Sequence, residues 1–230
     1  MMPWVTLDRA LSTDGSELAL VRRDRHFTIR VDGQVLMSSE RHGSEEKLAK
    51  HGCSELRAMP RARVLVGGLG LGFTARAALD VLGADARVDV VELVGAVVTW
   101  NRDVIGHLAG APLLDPRLRV IESDVADTIA AARDRYDAIL LDVDNGPQAL
   151  TSYHNKRLYT PAGLARVRRV LRHCGTLAVW SAFEAQSFTD RLRQSGFEVS
   201  VKRVRAHGTL SHRHALWLAR SAPGHGGGAP

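Results

Sequence analysis

The sequence predicts an α/β protein, with a seven-stranded doubly wound sheet preceded by a small N-terminal β ribbon. Two observations predict it. From Arg63 onward, five short runs rich in Val, Ile and Leu alternate with helix-like stretches; runs apolar on both faces suit parallel strands covered by helices on either side. Two further strand-like segments then close the chain with no helix between them, so they pair as an antiparallel edge. The length fits, because 230 residues make one large domain, or one with a small appendage, at about 150 residues per domain.

The ribbon comes first. Between Trp4 and Val35, Leu18 and Leu20 and then Phe27, Ile29 and Val31 alternate with polar residues, and Asp32-Gly33 closes the second run with a hairpin dipeptide. The charged stretch Ser38 to Leu56 follows, where Ser44 is expected to cap a helix through Glu45, Glu46, Leu48 and Ala49. The five core strands are Val64 to Val66, Val88 to Val91, Leu118 to Ile121, Ala138 to Leu141 and Thr176 to Val179. Helices are expected over Phe73 to Leu82, Val94 to Leu108, Val125 to Arg133 and Thr160 to Leu171, and the closing strands over Phe197 to Arg205 and His214 to Arg220. The expected organisation is a ribbon and lid helix over 1–56, the sheet domain over 57–220, and a flexible tail over 221–230 that is too poor in apolar residues to pack.

Composition narrows the function. Lys plus Arg number 31 against 25 Asp plus Glu, a net charge of +6 carried mainly by Arg. Cys53 and Cys174 are the only cysteines and lack metal-ligand spacing, which argues against a disulfide framework or a zinc site. No metal is expected. The N-terminus shows no apolar leader and no stretch nears the roughly 18 apolar residues of a membrane span, so the expectation is a cytoplasmic protein. Arg166-Val167-Arg168-Arg169 and Lys202-Arg203-Val204-Arg205, with His207, His212 and His214, read as solvated sides of a helix and an edge strand, an RNA-binding face being the lesser alternative.

Open α/β sheets bind ligands beyond the carboxyl ends of their strands, and those ends carry a consistent set of residues here. The first core strand ends in Gly67-Gly68-Leu69-Gly70-Leu71-Gly72. Gly68, Gly70 and Gly72 let the backbone pass close to a ligand, and the helix after them offers free N–H groups. Glu92 ends the second strand about twenty residues on, where a carboxylate accepts both hydroxyls of a ribose, a layout that serves dinucleotides and S-adenosylmethionine alike. Asp124 follows the third strand and can accept from an adenine amino group, cap the helix that starts at Val125, or do both. The fourth strand ends in Asp142-Val143-Asp144-Asn145. Two carboxylates this close repel unless a proton or a cation visits them, so Asp142 and Asp144 are the candidates for a general base or an amine holder. Tyr153, His154, Asn155 and Tyr159 follow closely enough to wall an acceptor site. Trp100 reads as packing and Cys174 as inert.

The glycine loop, Glu92, Asp124 and Tyr136-Asp137-Ala138-Ile139-Leu140-Leu141-Asp142 together resemble the class I S-adenosylmethionine-dependent methyltransferase fold, a Rossmann-like sheet. The ribbon with Asp32-Gly33, Met37-Ser38-Ser39 and the Glu45-Glu46 helix is similar to the spermidine synthases and their relatives. The resemblance implies that Glu92 binds ribose, that Asp124 binds adenine, and that Asp142 matches the catalytic aspartate of aminopropyl transferases. Three positions depart from that pattern. Those enzymes carry an amine-gripping aspartate in the glycine loop where this chain has Leu71, a lid Tyr-His-Glu where it has Ser44-Glu45-Glu46, and a glutamine after the fifth strand where it has Trp180-Ser181.

The function expected first is that of an S-adenosylmethionine-dependent transferase that moves a methyl group to a small-molecule acceptor. Asp142 would orient or deprotonate the acceptor, with Glu45, Asp144 and Asn145 at the entrance, Trp180 as an apolar wall and Tyr153 beside it. The alternative is aminopropyl transfer from decarboxylated S-adenosylmethionine to putrescine or another diamine. A non-catalytic adenosyl- or RNA-binding module and a dinucleotide dehydrogenase are further alternatives. The ribbon's apolar positions could pair with a second copy of the chain as a homodimer.

Overall fold

Four antiparallel strands open the chain, β1 (Val5–Leu11), β2 (Glu17–Arg23), β3 (His26–Val31) and β4 (Gln34–Ser38), hydrogen-bonded in sequence order. The computed structural model describes residues 2–133, 135–143, 153–206 and 213–221, with backbone alone at 153 and 154. The β3–β4 turn falls on Asp32 and Gly33, whose φ angles of 48° and 80° are the positive pair that a tight hairpin of matching twist requires.

Helix α1 (Gly43–Gly52) follows, and here one expectation is corrected. Ser44 does not cap it: the helix begins two residues earlier, with His42 at the cap position and no side-chain cap. The cause is tertiary, because the Gly43 N–H donates to the Ala206 carbonyl at 2.9 Å and a Cβ on Gly43 would lie 2.3 Å from that oxygen. Ser44 is thereby drawn into the first turn and is fully buried. The helix is seated on the large sheet: Leu48 and Ala49 are wholly buried, and Gly52 lies so close to Leu140 and Ala178 that a Cβ would clash.

The second sheet contains β5 (Arg63–Gly67), β6 (Arg87–Glu92), β7 (Leu118–Glu122), β8 (Tyr136–Leu141), β9 (Leu171–Ser181), β10 (Phe197–Arg205) and β11 (Arg213–Ser221), in the order β10-β11-β9-β8-β5-β6-β7. β7, β6, β5, β8 and β9 run parallel, and β11 inserts antiparallel between β9 and β10. Helices α2 (Phe73–Val81), α3 (Gly95–Trp100), α4 (Val125–Ala131), α5 (Tyr153–Lys156), α6 (Pro161–Val170) and α7 (Gln186–Gln194) connect the strands. Alternate residues of each strand feed two cores. Val64 and Val66 join the core under α1, α2 and α3, whereas Leu65 joins the one under α4, α6 and α7. Burial on both faces is why the strands read as unbroken apolar runs.

Two helices differ from the sequence reading. α3 stops at Trp100, and the chain continues as a π turn over Asn101–Ile105 and a 3-10 turn over Gly106–Ala109. The Asn101 amide donates to the carbonyls of Gly70 and Val97 at 2.8 and 2.9 Å, tying this turn to the glycine loop, and a wide turn of this kind often marks such a site. α7 is an addition, since its polar sequence puts only two apolar residues, Phe188 and Leu192, on the buried side beside Thr189. Trp100 packs as expected, 1% exposed, with its indole N–H on Asp8. Among the described residues no helix is long and apolar enough to cross a membrane.

Candidate active site

The chain leaves β5 for β6 and β7 on one side and returns for β8 and β9 on the other, so the crevice lies between the carboxyl ends of β5 and β8. Register brings the chemistry together there. Gly67 pairs with Leu141, and the Asp142 N–H donates to the Gly67 carbonyl at 2.9 Å. Gly68, at φ 89°, is so close to Asp142 that a Cβ would stand 2.4 Å from its carbonyl oxygen. Only glycine fits that position without moving backbone.

A cavity of about 440 Å³ opens over this crevice, roofed by the four-stranded sheet. Gly68, Gly70, Glu92, Asp124, Glu45, Asp142 and Trp180 line it, all singled out from the sequence. Asn155 lines it as well. Gly72 does not: it faces Pro112 and Asn101 at the start of α2, where φ of 87° makes it a structural glycine of the turn. Asp144 and Asn145 lie outside the described residues, as does the side chain of Tyr153. Tyr159 is not an acceptor wall; it is 1% exposed and packs edge-on against Phe188.

Each carboxylate at the mouth has a distinct environment. Glu92 accepts from the Leu69 N–H and the Val94 N–H, both at 2.9 Å, one on each oxygen. It therefore shapes the glycine loop and still has a lone pair on each oxygen for a ligand hydroxyl. Burial raises its pKa against the lowering effect of those backbone donors. Asp124 caps α4 by accepting from the N–H groups of Ala126 and Asp127, and its other oxygen pairs with Arg157 at 2.8 Å. The cap reading of Asp124 is thus realised, and the carboxylate still faces the cavity. These residues suit an adenosyl ligand: an open glycine loop, a carboxylate held at the end of β6 and another at the end of β7.

Asp142 and Glu45 form the other pole. Asp142 is 9% exposed and accepts from the Thr74 hydroxyl of α2. Burial and the nearby negative charge of Glu45 push its pKa up to about 7, with the Thr74 bond opposing the shift. Burial raises Glu45 likewise. Elsewhere buried or half-buried acids are matched by cations, Asp89 by Arg119, Asp115 by Arg117, Asp137 by Arg172. Among the described residues no Lys or Arg side chain bridges to Asp142, Glu45 or Glu92.

Sequence reading missed several cavity residues. Met37 reaches over the loop, with its sulfur where a Cβ of Gly70 would be. Asp14 comes from the turn between β1 and β2, and Arg41 from the connection between β4 and α1. His214, grouped above with a basic surface, points into the cavity instead. Its neighbourhood depends on the insertion of β11 between β9 and β10, which local pattern does not encode. Thr74 had a signal, a lone hydroxyl on the apolar side of α2.

The fold and the crevice define a class: this is a Rossmann-like sheet of the class I methyltransferase type, preceded here by a four-stranded antiparallel sheet. No family model matches the chain. It is similar to the solved spermidine synthase of Thermotoga maritima, with a TM-score of 0.74 and 17% identity over 95% of this chain and 73% of that one. A spermidine synthase in complex with the transition-state analogue AdoDATO gives 0.72 and 16% over the same shares. In sequence it is similar to the polyamine aminopropyltransferase of Pyrobaculum calidifontis, 26% identical over 163 residues, and to that of Korarchaeum cryptofilum, 31% identical over 96 residues. The matches cover 69% and 41% of this chain, and only 52% and 28% of those relatives' lengths.

Proposed function

We propose that the protein transfers an aminopropyl group from decarboxylated S-adenosylmethionine to an amine acceptor such as putrescine. This reading takes precedence over methyl transfer because the two curated relatives named above carry that activity in their names and the two solved structures named above are spermidine synthases. The observation that carries it within the molecule is the Glu45–Asp142 pair, two acids facing one cavity with no Lys or Arg bridging them among the described residues. Such a pair is costly in an empty protein and favourable around an ammonium group.

The reaction needs positioning and one proton acceptor. Glycine loop and Glu92 hold the adenosyl end, with Asp124 beside the adenine. The acceptor's ammonium gives a proton to Asp142, and the freed amine attacks the propyl carbon next to sulfur. A C–N bond forms as the C–S bond breaks, the sulfonium becomes a neutral thioether, and methylthioadenosine leaves. Trp180 and the apolar side chains of β2 and β3 exclude water. Leu71, 2% exposed, offers no carboxylate to the donor's own ammonium.

Methyl transfer from S-adenosylmethionine keeps two observations in its favour: Leu71 in place of an acid, and Arg41 in the cavity lining, where it could pair with a donor carboxylate. Calorimetric titration with both donors separates the readings. Tighter binding of the decarboxylated donor is expected; a clear preference for S-adenosylmethionine would restore methyl transfer.

A further inference from the structure

His214 has no role in the reaction as described, yet it is built into the cavity. It stands near the start of β11, 170 positions from Ser44, and its Nδ1 lies 2.9 Å from the Ser44 Oγ. Ser44 is completely buried in the first turn of α1, and its hydroxyl donates to Glu45 Oε2 at 2.5 Å. That hydroxyl has one hydrogen. With the hydrogen on Glu45, the contact to His214 takes its hydrogen from Nδ1. The edge of Trp180 fixes the imidazole, ring centroids 4.9 Å apart at 73°.

We propose that His214 is a positioning residue for the acceptor's ammonium group: acting through Ser44, it aims the Glu45 carboxylate into the cavity opposite Asp142. The proposal rests on the reading of this cavity as an amine site. Glutamate has three rotatable bonds, and Asp142 repels its carboxylate, so an unrestrained Glu45 would swing away from the pocket. A carboxylate already held in place loses less freedom when a cation binds. The bond to Ser44 comes from within α1, but the orientation of the Ser44 hydroxyl is set from β11. α1 is anchored to the same end of the sheet, where Lys47 donates to the Arg205 carbonyl and Gly43 to that of Ala206.

The test is putrescine binding by calorimetry to wild type, His214→Leu, His214→Asn and Ser44→Ala. Asn offers an amide N–H near the position of Nδ1, whereas Leu and Ala break the link. Binding is expected to weaken about tenfold in His214→Leu and Ser44→Ala and less than about threefold in His214→Asn, as for loss and retention of one charge-assisted bond. Affinity for decarboxylated S-adenosylmethionine stays unchanged, which also reports that each variant is folded; Ser44→Ala carries the test if His214→Leu is not. In a Glu45→Gln background the His214→Leu effect disappears. Wild-type affinity for putrescine in both link-breaking variants, or an equal loss in the Glu45→Gln background, overturns the role of His214 alone. Absence of putrescine binding to the wild type overturns the amine-site reading along with it.

Discussion

Asp142, the proton acceptor of the proposed reaction, also carries a cost in stability. Its pKa lies well above the usual carboxylate range because burial and Glu45 both disfavour the charge. The folded protein therefore binds a proton here that the unfolded chain gives up near pH 4. The stability tied to this proton is complete below about pH 4 and is lost as pH rises through about 7. Asparagine at this position stays neutral and can still accept from Thr74. Asp142→Asn should therefore gain stability relative to wild type between about pH 4 and 7, by up to a few kcal/mol, and the difference should level off above that range. Urea unfolding across pH measures it. A difference independent of pH would mean that the carboxylate is not the strained group described.

At the scale of elements, the glycine loop combines two kinds of glycine, and substitution should tell them apart. Both sit at positive φ, 89° and 51°, but at Gly68 a Cβ meets backbone whereas at Gly70 it meets only the flexible end of Met37. Gly68→Ala should cost roughly 2 kcal/mol or more and Gly70→Ala about 1 kcal/mol. Chemical denaturation gives both numbers, and the reverse order would contradict the packing. This loop was legible in the sequence, as were the five parallel strands, the closing pair and the Asp32-Gly33 hairpin, because each depends on short-range pattern or on glycine's freedom. Glu92, Asp124 and Asp142 were legible for a topological reason: strand ends in such a sheet converge on one crevice. The early end of α3, the start of α1 before Ser44 and the weakly patterned α7 were not, since tertiary hydrogen bonds or two buried apolar residues decide them. His214 and Met37 were hidden by distance along the chain, their neighbours being set by strand order and by the second sheet.

The whole molecule carries a net charge of +6, yet Asp14, Glu45, Glu92, Asp124 and Asp142 line one cavity in which Arg41 is the only described Arg or Lys. The basic residues lie elsewhere. Arg203 pairs with Glu184 and Arg220 with Glu55 on the outside, while Val167 and Val204 turn the intervening positions inward. An acidic cavity in a basic protein selects cations locally and does not draw them from afar. A diamine entering it favours the ionised forms of Asp142 and Glu45, so binding should release protons below about pH 7. Calorimetry at pH 6 in buffers of different ionisation enthalpy should then give different apparent enthalpies, which converge by about pH 8. Identical enthalpies at pH 6 would remove the buried acids from the binding step. The most direct measurement of the central claim is product analysis by mass spectrometry. The protein is incubated with putrescine and equal amounts of S-adenosylmethionine and its decarboxylated form, with Asp142→Asn alongside. Aminopropylated putrescine and methylthioadenosine are predicted for the wild type, with a loss of about a hundredfold or more in the variant. Methylated putrescine, or an Asp142→Asn protein as active as the wild type, would contradict the account.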